Sequence, residues 1–481
     1  MRKTFVTNLA LLVFLNLLIK PLWIFGIDMQ VQNVVGANEY GTYASLFSFS
    51  IILNILLDLG ITNFNNKNIA QHNQLLRKYF SNMVMMKFIF GVIYSVICLL
   101  IGFSMGYDQH QFHILYFLVG NQFLLSFILY LRSNLSGLHL FKTDSLISIT
   151  DRTLMLVLCG TLLLVPVTRS SFKIEWFVSA QTIAYAFTFI MCFIIVLRHA
   201  GFFKIQFDFA FLVLIFKQSY PFALLVLLMS LYSRIDIVMI ERMLPDGKVQ
   251  AGIYSQAFRL IDAVSMFAFL FATLLLPMFS RMLKLKESIT QLVRLSYMLL
   301  LVPTILFSIC SVFYSTEIMN ILYRAHVEES AMIYSVLILG FNAVSTTYIF
   351  GTLLTANNNV KQLNYMALVG VVVNIIFNLI FIPVFKAYGA ACSSLITQFL
   401  TAIIQAIIAI RVFKFKIALK DIVRIFTYIC IVIGACIISK EYIGKWQISI
   451  CVVFISGLIF AFILRIINLK VIYHTLKFED K

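Results

Sequence analysis

Apolar runs of roughly 20 residues recur along the whole sequence, and they constrain the fold more than any other feature. A helix of that length crosses the hydrocarbon of a bilayer, where no water can satisfy an open backbone. Of the 481 residues, 61% are hydrophobic and only 12% are charged. A soluble protein of this length carries about twice that charged fraction. The sequence therefore predicts an all-α polytopic membrane protein.

The apolar runs predict fourteen transmembrane helices. They lie near residues 8–34, 41–66, 79–103, 111–136, 144–166, 176–197, 217–243, 251–280, 290–313, 332–356, 361–382, 389–410, 421–438 and 447–467. The N-terminal run has a basic start but lacks a small-residue cleavage site, so we expect it to be retained as the first span.

The distribution of Lys and Arg predicts the orientation of these helices in the membrane. Of the 37 basic residues, twenty-one fall in connections on one side and eight in connections on the other. This bias fits fourteen spans with both termini in the cytoplasm. The net charge of +17 then reflects topology and contact with anionic membrane lipids, and we expect no nucleic-acid partner.

The sequence lacks the usual signals of catalysis. It has no GxxxxGK[ST] phosphate-binding loop, its seven histidines are not paired at metal-ligand spacing, and its eight cysteines lie in apolar spans without a CxxC. We expect this chain to move a substrate and not to react with one. No enzyme activity, bound metal or organic cofactor is predicted.

Eight basic residues lie within or at the edge of the predicted spans, and depth separates them. A charge at the centre of a membrane helix costs about 2.5–3.5 kcal/mol, so it usually faces a partner or a wet cavity. Lys20, Arg234 and Arg259 lie too deep to reach the membrane surface, and we predict that they face such a cavity. Depth leaves Lys87 and Arg152 ambiguous.

The acidic residues in the spans leave two interpretations open. Arg259 and Asp262 are three residues apart on one helix, so they can form a structural pair. Arg234 and Asp236 are two residues apart and point in different directions, so neither can neutralise the other.

Polar residues form a stripe on the second predicted span. Asn54, Asp58, Thr62 and Asn65 have the spacing of one continuous helical face, and Asn374 and Asn378 share a face on the eleventh span. Such stripes either make hydrogen bonds between helices or line an aqueous chamber. The deep basic residues favour the chamber, so the predicted substrate-binding residues are Lys20, Asn54, Asp58, Arg152, Arg234, Asp236, Arg259 and Asp262.

Two segments suggest an internal repeat. "EYGTYASLFSF" (39–49) and "QAGIYSQAFRL" (250–260) both open a span with Gly-x-Tyr, and they are six spans apart. An even number of spans gives both halves the same orientation, as in parallel repeats of transporters. We predict an N-terminal lobe at 1–200, a second lobe at 201–412, and two additional helices with a short tail at 413–481.

These segments also carry a family resemblance. "VVGANEYGTYASLFSFSIILNILLDLGITNFNNKNIA" (34–70) and "SRIDIVMIERMLPDGKVQAGIYSQAFRLID" (233–262) resemble signatures of polysaccharide-export flippases. These flippases belong to the multidrug/oligosaccharidyl-lipid/polysaccharide exporter superfamily. The resemblance implies two six-helix lobes around a central cavity, plus two C-terminal helices. It also implies a location in the bacterial inner membrane.

The implied substrate is an undecaprenyl-diphosphate-linked oligosaccharide, such as an O-antigen or capsule repeat unit. It would pass from the cytoplasmic to the outer leaflet by alternating access, with H⁺ or Na⁺ as a possible coupling ion. Related lipid II flippases place arginines of the first and eighth helices against the diphosphate, and Lys20 and Arg259 occupy comparable positions here. A polysaccharide polymerase and chain-length proteins are the expected protein partners.

Two other functions are compatible with the sequence. A cation-coupled multidrug exporter of the same superfamily would use carboxylates such as Asp58, Asp236 and Asp262, but the deep basic residues argue against a cationic substrate. A membrane-embedded assembly factor would need an interaction domain, and no connection is long enough to form one.

Overall fold

The computed structural model of the chain describes residues 18–19, 21–62, 65–66, 69, 72, 74–201, 209–416 and 418–466. All regular elements within this part of the chain are helical. The prediction of an all-α polytopic membrane fold is therefore confirmed. The chain divides into two compact units, with the boundary between Gly252 and Ile253.

The first unit contains a π-helix and a 3-10 turn beside its α-helices. Its elements are a π-helix (Ile24–Asp28), α1 (Met29–Ile52), a 3-10 turn (Asn54–Leu57), α2 (Leu75–Ser104), α3 (Gln109–Gly137), α4 (Phe141–Leu164), α5 (Pro166–Ser170), α6 (Ile174–Ala200), α7 (Phe209–Met243) and the first residues of α8 (Gly247–Lys284). Within this unit α7 packs along α1. The lobes at 1–200 and 201–412 stay a prediction.

The second unit begins within α8 and contains the remaining helices. These are α9 (Thr290–Phe313), α10 (Ser315–Leu322), α11 (Val327–Ala356), α12 (Val360–Phe413), α13 (Leu419–Tyr442) and α14 (Trp446–Ile463). The helices α11 and α12 form its most extensive helix–helix contact.

Two helices each contain parts of two membrane spans. In the described part of the chain, eleven helices are long and apolar enough to cross a membrane. The helix α12 has 54 residues and would be roughly 80 Å long if straight, against about 30 Å of hydrocarbon. Lys386, with φ 51°, divides it, and Gly36, with φ 81°, divides α1 where the first two predicted spans meet. With these breaks, the described helices coincide with the second to the fourteenth predicted spans, whereas residues 8–17 of the first span lie outside the described residues.

The second predicted span is not a continuous helix. The helix α1 ends at Ile52, a 3-10 turn follows, and Leu59 and Gly60 have φ values of 41° and 89°. The prediction of one unbroken helical face from Asn54 to Asn65 is therefore wrong. A side chain at Gly60 would overlap Ser219 of α7, so the broken backbone lies against a neighbouring helix.

Each unit has its own apolar core. In the first unit α2, α3 and α6 pack around Met83, Phe127 and Tyr130. In the second unit α13 and α14, the two additional helices predicted at the C-terminal end, pack against α9 through Val432 and Val453. Burial of these side chains fixes the helices that position the polar groups described below.

Candidate substrate-binding site

Arg152 of α4 lies in the interior of the first unit between two aromatic rings. Its guanidinium carbon is 5.5 Å from the centre of the Trp23 ring and 6.0 Å from that of Tyr185. Asp151 is the carboxylate that the described residues place within ion-pair distance, at 3.9 Å from Nε of Arg152, whose side chain stays 27% exposed. Aromatic faces stabilise a guanidinium without occupying its N–H donors. Arg152 therefore keeps donors for a bound anion.

The aromatic frame around Arg152 is itself held by neighbouring helices. Trp23 stacks on Phe177 of α6 with 5.7 Å between ring centres, and Tyr43 of α1 meets Phe177 edge-on at 5.3 Å. The amide of Gln181 donates a hydrogen bond to the Tyr43 hydroxyl at 3.1 Å. Packing of this kind fixes the direction of the Trp23 ring and therefore of Arg152.

Asp28 adds a buried carboxylate to the same region. It lies at the end of the π-helix, is 3% exposed, and accepts a hydrogen bond from the Tyr40 hydroxyl at 2.9 Å. Its charge acts on Arg152. A carboxylate accepts hydrogen bonds from sugar hydroxyls, a guanidinium donates hydrogen bonds to phosphate oxygens, and an aromatic ring provides an apolar surface. The cluster thus combines the groups that suit a phosphorylated sugar.

Asp58 and Lys87 form an ion pair at the break in the second span. The Lys87 ammonium of α2 lies 2.5 Å from Oδ1 of Asp58 and also donates to the Leu57 carbonyl and the Ser126 hydroxyl, each at 3.0 Å. Thr62 donates to the same carboxylate. Lys87 thereby binds a backbone oxygen that the broken helix leaves without its usual partner.

The other polar residues of the stripe also contact neighbouring helices. Asn54 donates to the Gln122 side chain at 2.5 Å, and Asn65 donates to Ser133 and Asn134 at 2.9 and 3.0 Å. All three acceptors lie on α3. These contacts correspond to the hydrogen bonds between helices that the sequence had left open as an alternative. Whether Asn54 or Asp58 also binds substrate stays a prediction.

The remaining predicted site residues lie in different parts of the chain. Arg234 is half-buried and Asp236 is buried on α7 in the first unit, while Arg259 and Asp262 are half-buried on α8 in the second. Lys20 lies outside the described residues. The convergence of these side chains on one cavity stays a prediction.

The asparagine pair of the eleventh span is confirmed as one helical face. Nδ2 of Asn378 donates to Oδ1 of Asn374 at 3.1 Å, one turn away on α12. Both side chains are fully buried.

The charges at the end of α7 form a second network. Gln111, in the first turn of α3, donates to the Glu241 carboxylate at 2.9 Å and accepts from Arg242 at 3.2 Å. Arg242 also donates to the Met105 carbonyl at 3.0 Å and lies 4.2 Å from the centre of the Tyr107 ring. These charges thus connect the end of α7 to the start of α3 and to the carbonyl that follows α2.

Asp108 extends this network to α8. Its carboxylate accepts from the Gln111 backbone N–H at 2.8 Å, as the N-cap of α3, and lies 3.0 Å from the Lys248 ammonium. Partial burial raises the pKa of Asp108, but the hydrogen bond from Gln111 and the charge of Lys248 outweigh it. The pKa of Asp108 therefore lies below its ordinary value, and its anionic form is stabilised.

Gly41 and Gly252, the glycines of the two Gly-x-Tyr segments, lie where α1 and the start of α8 approach each other closely. A Cβ at Gly41 of α1 would overlap the Lys248 carbonyl oxygen, and a Cβ at Gly252 of α8 would overlap the Ala37 carbonyl oxygen. Gln32 donates to the Gly252 carbonyl at 3.0 Å. Only residues without a side chain allow this separation. The repeat found in the sequence is thus also a packing contact.

Several of these residues escaped the sequence analysis. Trp23 and Tyr185 are ordinary aromatic residues in apolar runs, and Gln111 is one polar residue near a helix start. Only the capping spacing of Asp108 and Gln111, with a polar pair three residues apart before an apolar run, offered a signal. The rings that hold Arg152 become visible only when helices distant in sequence are packed together.

The described helices define a class of protein, an all-helical polytopic membrane protein, and comparisons with known proteins agree on the fold. A structure of the lipid II flippase MurJ in an inward closed conformation has a TM-score of 0.74 at 15% identity, covering 95% of this chain and 99% of that chain. An inward-facing multidrug resistance MATE family transporter of the MOP superfamily has a TM-score of 0.62 at 12% identity, covering 81% and 94%. At these identities the likeness establishes the fold.

The family follows from the sequence itself. The family model for polysaccharide biosynthesis proteins matches residues 5–283, more than half of the chain, and the chain belongs to this family. No curated protein matches the sequence. The chain is therefore a polytopic membrane protein of the polysaccharide biosynthesis family, with the fold found in a lipid II flippase and in a MATE family transporter.

Proposed function

We propose that this transporter flips an undecaprenyl-diphosphate-linked oligosaccharide, an O-antigen or capsule repeat unit, across the bacterial inner membrane. The glycan moves from the cytoplasmic to the outer leaflet by alternating access, and both termini of the chain lie in the cytoplasm. The family of polysaccharide biosynthesis proteins supports a glycan substrate. The fold shared with a lipid II flippase supports a lipid-linked one.

The observation that carries this proposal is the setting of Arg152. An unscreened diphosphate cannot enter a low-dielectric interior without compensating charge. Arg152 offers a guanidinium held by Trp23 and Tyr185, with a carboxylate 3.9 Å away and not in close contact. Its fork of N–H donors matches phosphate oxygens, and the rings and Asp28 suit the attached sugar.

We further propose that an ion gradient supplies the energy for this transport, with H⁺ or Na⁺ as the coupling ion. A diphosphate-linked glycan carries no energy source that drives its own flipping, and the sequence has no phosphate-binding loop for ATP. A polysaccharide polymerase and chain-length proteins would take over the glycan after transport.

A deletion strain tests the proposal. Loss of the gene should remove the surface glycan and trap its lipid-linked intermediate, and the wild-type chain should restore export. Arg152→Ala should fail to restore export while accumulating normally in the membrane. Arg152→Lys should restore part of it, because the ammonium keeps the charge but loses the fork.

Thr153→Ala is the matched control, since Thr153 is the exposed neighbour of Arg152 on the same helix. It should export normally. If Arg152→Ala restores the full amount of surface glycan, Arg152 is not part of the substrate-binding site. A deletion that leaves the glycan intact but sensitises cells to lipophilic cations would contradict the glycan substrate and favour drug export.

A further inference from the structure

A cavity of about 220 Å³ lies in the first unit, and Arg152 is not among its lining residues. Its walls come from two elements. Gly26, Ile27 and Val34 belong to the end of the first span, and Gly160, Leu163 and Leu164 belong to the last turns of α4. The floor and walls are almost entirely apolar, and Gln30 is the one amide on them.

Two glycines and a π-helix keep this cavity open. A Cβ at Gly26 would have no atom within 4 Å, and a Cβ at Gly160 would meet only Ile27 Cδ1, at 3.8 Å. The π-helix Ile24–Asp28 widens the turn on which Gly26 lies. Side chains of ordinary size at these two positions would fill the space. The cavity thus results from the two glycines and the π-helix in its own walls and not from poor packing of helices elsewhere.

The surroundings of the cavity are those of a surface that faces lipid. Leu22 and Phe25 are exposed on the first span. At the other wall Leu164 and Val167 are 83% and 76% exposed. Exposed apolar side chains of this kind face hydrocarbon in a membrane protein, whereas an aqueous chamber would carry polar ones.

A cation is among the residues that line the cavity. Arg169 lies on the short helix α5, directly after α4 ends. The described residues place no carboxylate within ion-pair distance of it. By the predicted topology this end of α4 lies at the outer membrane surface, at the depth of lipid headgroups. An unpaired guanidinium there suits a phosphate group.

We propose that this cavity binds one chain segment of an anionic membrane phospholipid, with Arg169 at its phosphate. The volume is below the roughly 300–1,000 Å³ of pockets that enclose a whole small ligand, so it takes part of one acyl chain. With a single amide on its walls, it has little to offer a sugar. The inference needs only the membrane location of the chain and is independent of the transported substrate.

Photolabelling of the purified full-length chain in lipid nanodiscs tests the site. The probe is phosphatidylglycerol with a photoactivatable acyl chain, and the same label on phosphatidylcholine serves for comparison. We expect phosphatidylglycerol to label the peptides that carry Leu163 and Leu164 more strongly. Arg169→Ala should lower this labelling about three- to tenfold, the effect of losing a charge-assisted hydrogen bond at a partly solvated position.

Matched variants separate the site from general lipid contact. Gly160→Leu should fill the cavity and remove the labelling, while Gly434→Leu, at another glycine with open space beside it, should leave it unchanged. Lys173→Ala removes an exposed cation that follows α5 without lining the cavity, and it should also label normally. Arg169 is at the end of a helix and outside the core, so its variant decides the question even if Gly160→Leu does not accumulate.

Three results would overturn the inference. One is equal labelling by the two lipids, which would show that the cavity does not select a lipid with net negative charge. Another is unchanged labelling in Arg169→Ala, which removes the residue. The third is displacement by undecaprenyl phosphate at a lower concentration than by phosphatidylglycerol, which would make the occupant a prenyl lipid and not a bilayer phospholipid. The first two results leave the proposed glycan export unaffected, whereas the third would overturn only the assignment of a bilayer phospholipid to this cavity.

Discussion

The first unit buries charged side chains in two regions, and the two regions compensate the buried charge differently. At the break in the second span, Lys87 is 1% exposed and meets the Asp58 carboxylate, the Leu57 carbonyl and the Ser126 hydroxyl. At the end of α7, Arg242 is 25% exposed and meets a carboxylate, an amide oxygen, a backbone carbonyl and a ring. In the interior region the ammonium is almost fully buried, and the Asp58 carboxylate is the one charged group among its three partners. The second region distributes the compensation over four groups.

This difference predicts unequal tolerance to substitution. A buried ion pair that loses one partner leaves an uncompensated charge in a medium of low dielectric constant. A charge with several neutral and charged partners near the membrane surface keeps most of its compensation, and water supplies part of the rest. The interior pair should therefore be fragile, and the network at the end of α7 should be resilient.

The largest effect is expected for Asp58→Ala. It leaves the ammonium of fully buried Lys87 with only the Leu57 carbonyl and the Ser126 hydroxyl, at a cost of about 3–5 kcal/mol. We expect this variant to be degraded, or to unfold at a much lower temperature in detergent. Thermal unfolding followed by size-exclusion chromatography measures this.

Removal of the other partner sharpens the result. Lys87→Met should cost less, because the Asp58 side chain is 25% exposed and keeps its hydrogen bonds from Thr62. The double variant Asp58→Asn, Lys87→Met should recover most of the stability. Equal losses in both single variants, without recovery in the double variant, would show that the pair is not the unit that matters.

The next effect concerns backbone packing beside the distributed network. Gly252→Val places a side chain where the Ala37 carbonyl lies and should lower the free energy of unfolding by about 1–3 kcal/mol. Gly434→Val, at a glycine of α13 with open space, is the control and should change little. If Gly252→Val costs more than any single charge substitution nearby, then packing and not charge holds α1 and α8 together.

The sequence predicted the class of fold because long apolar runs have only one solution in a bilayer. It also identified Gly41 and Gly252 as a matched pair, because each lies in a short Gly-x-Tyr motif that is visible in the sequence without knowledge of the packing. It did not predict the break near Leu59 and Gly60, because that span has a normal apolar period and the ammonium that binds the carbonyl beside the break, that of Lys87, comes from another helix. The same limit applies to Arg152, whose rings come from segments far apart along the chain.

A smaller effect is expected for Glu241→Gln. The substitution removes the ion pair with Arg242 but keeps an acceptor for the Gln111 amide, and Arg242 retains the Met105 carbonyl and the Tyr107 ring. We expect a loss of about 1 kcal/mol, the usual net value of one hydrogen-bonded contact. A shift in the unfolding midpoint as large as that of Asp58→Ala would contradict the distributed compensation.

The smallest effect is expected where the network reaches solvent, at Lys248 and Asp108. Both side chains are substantially exposed, and an exposed ion pair contributes only about 0.2–1 kcal/mol. Lys248→Ala should therefore barely move the unfolding midpoint at neutral pH, and moderate salt should reduce even this difference. Because the folded-state pKa of Asp108 is lowered, its contribution is present above the ordinary pKa of about 3.9 and disappears as the pH falls through the folded value. Wild type and Asp108→Asn should consequently differ in unfolding midpoint at pH 7 and converge at lower pH. A gap that widens on acidification would reverse the sign and place the stabilising charge on another residue.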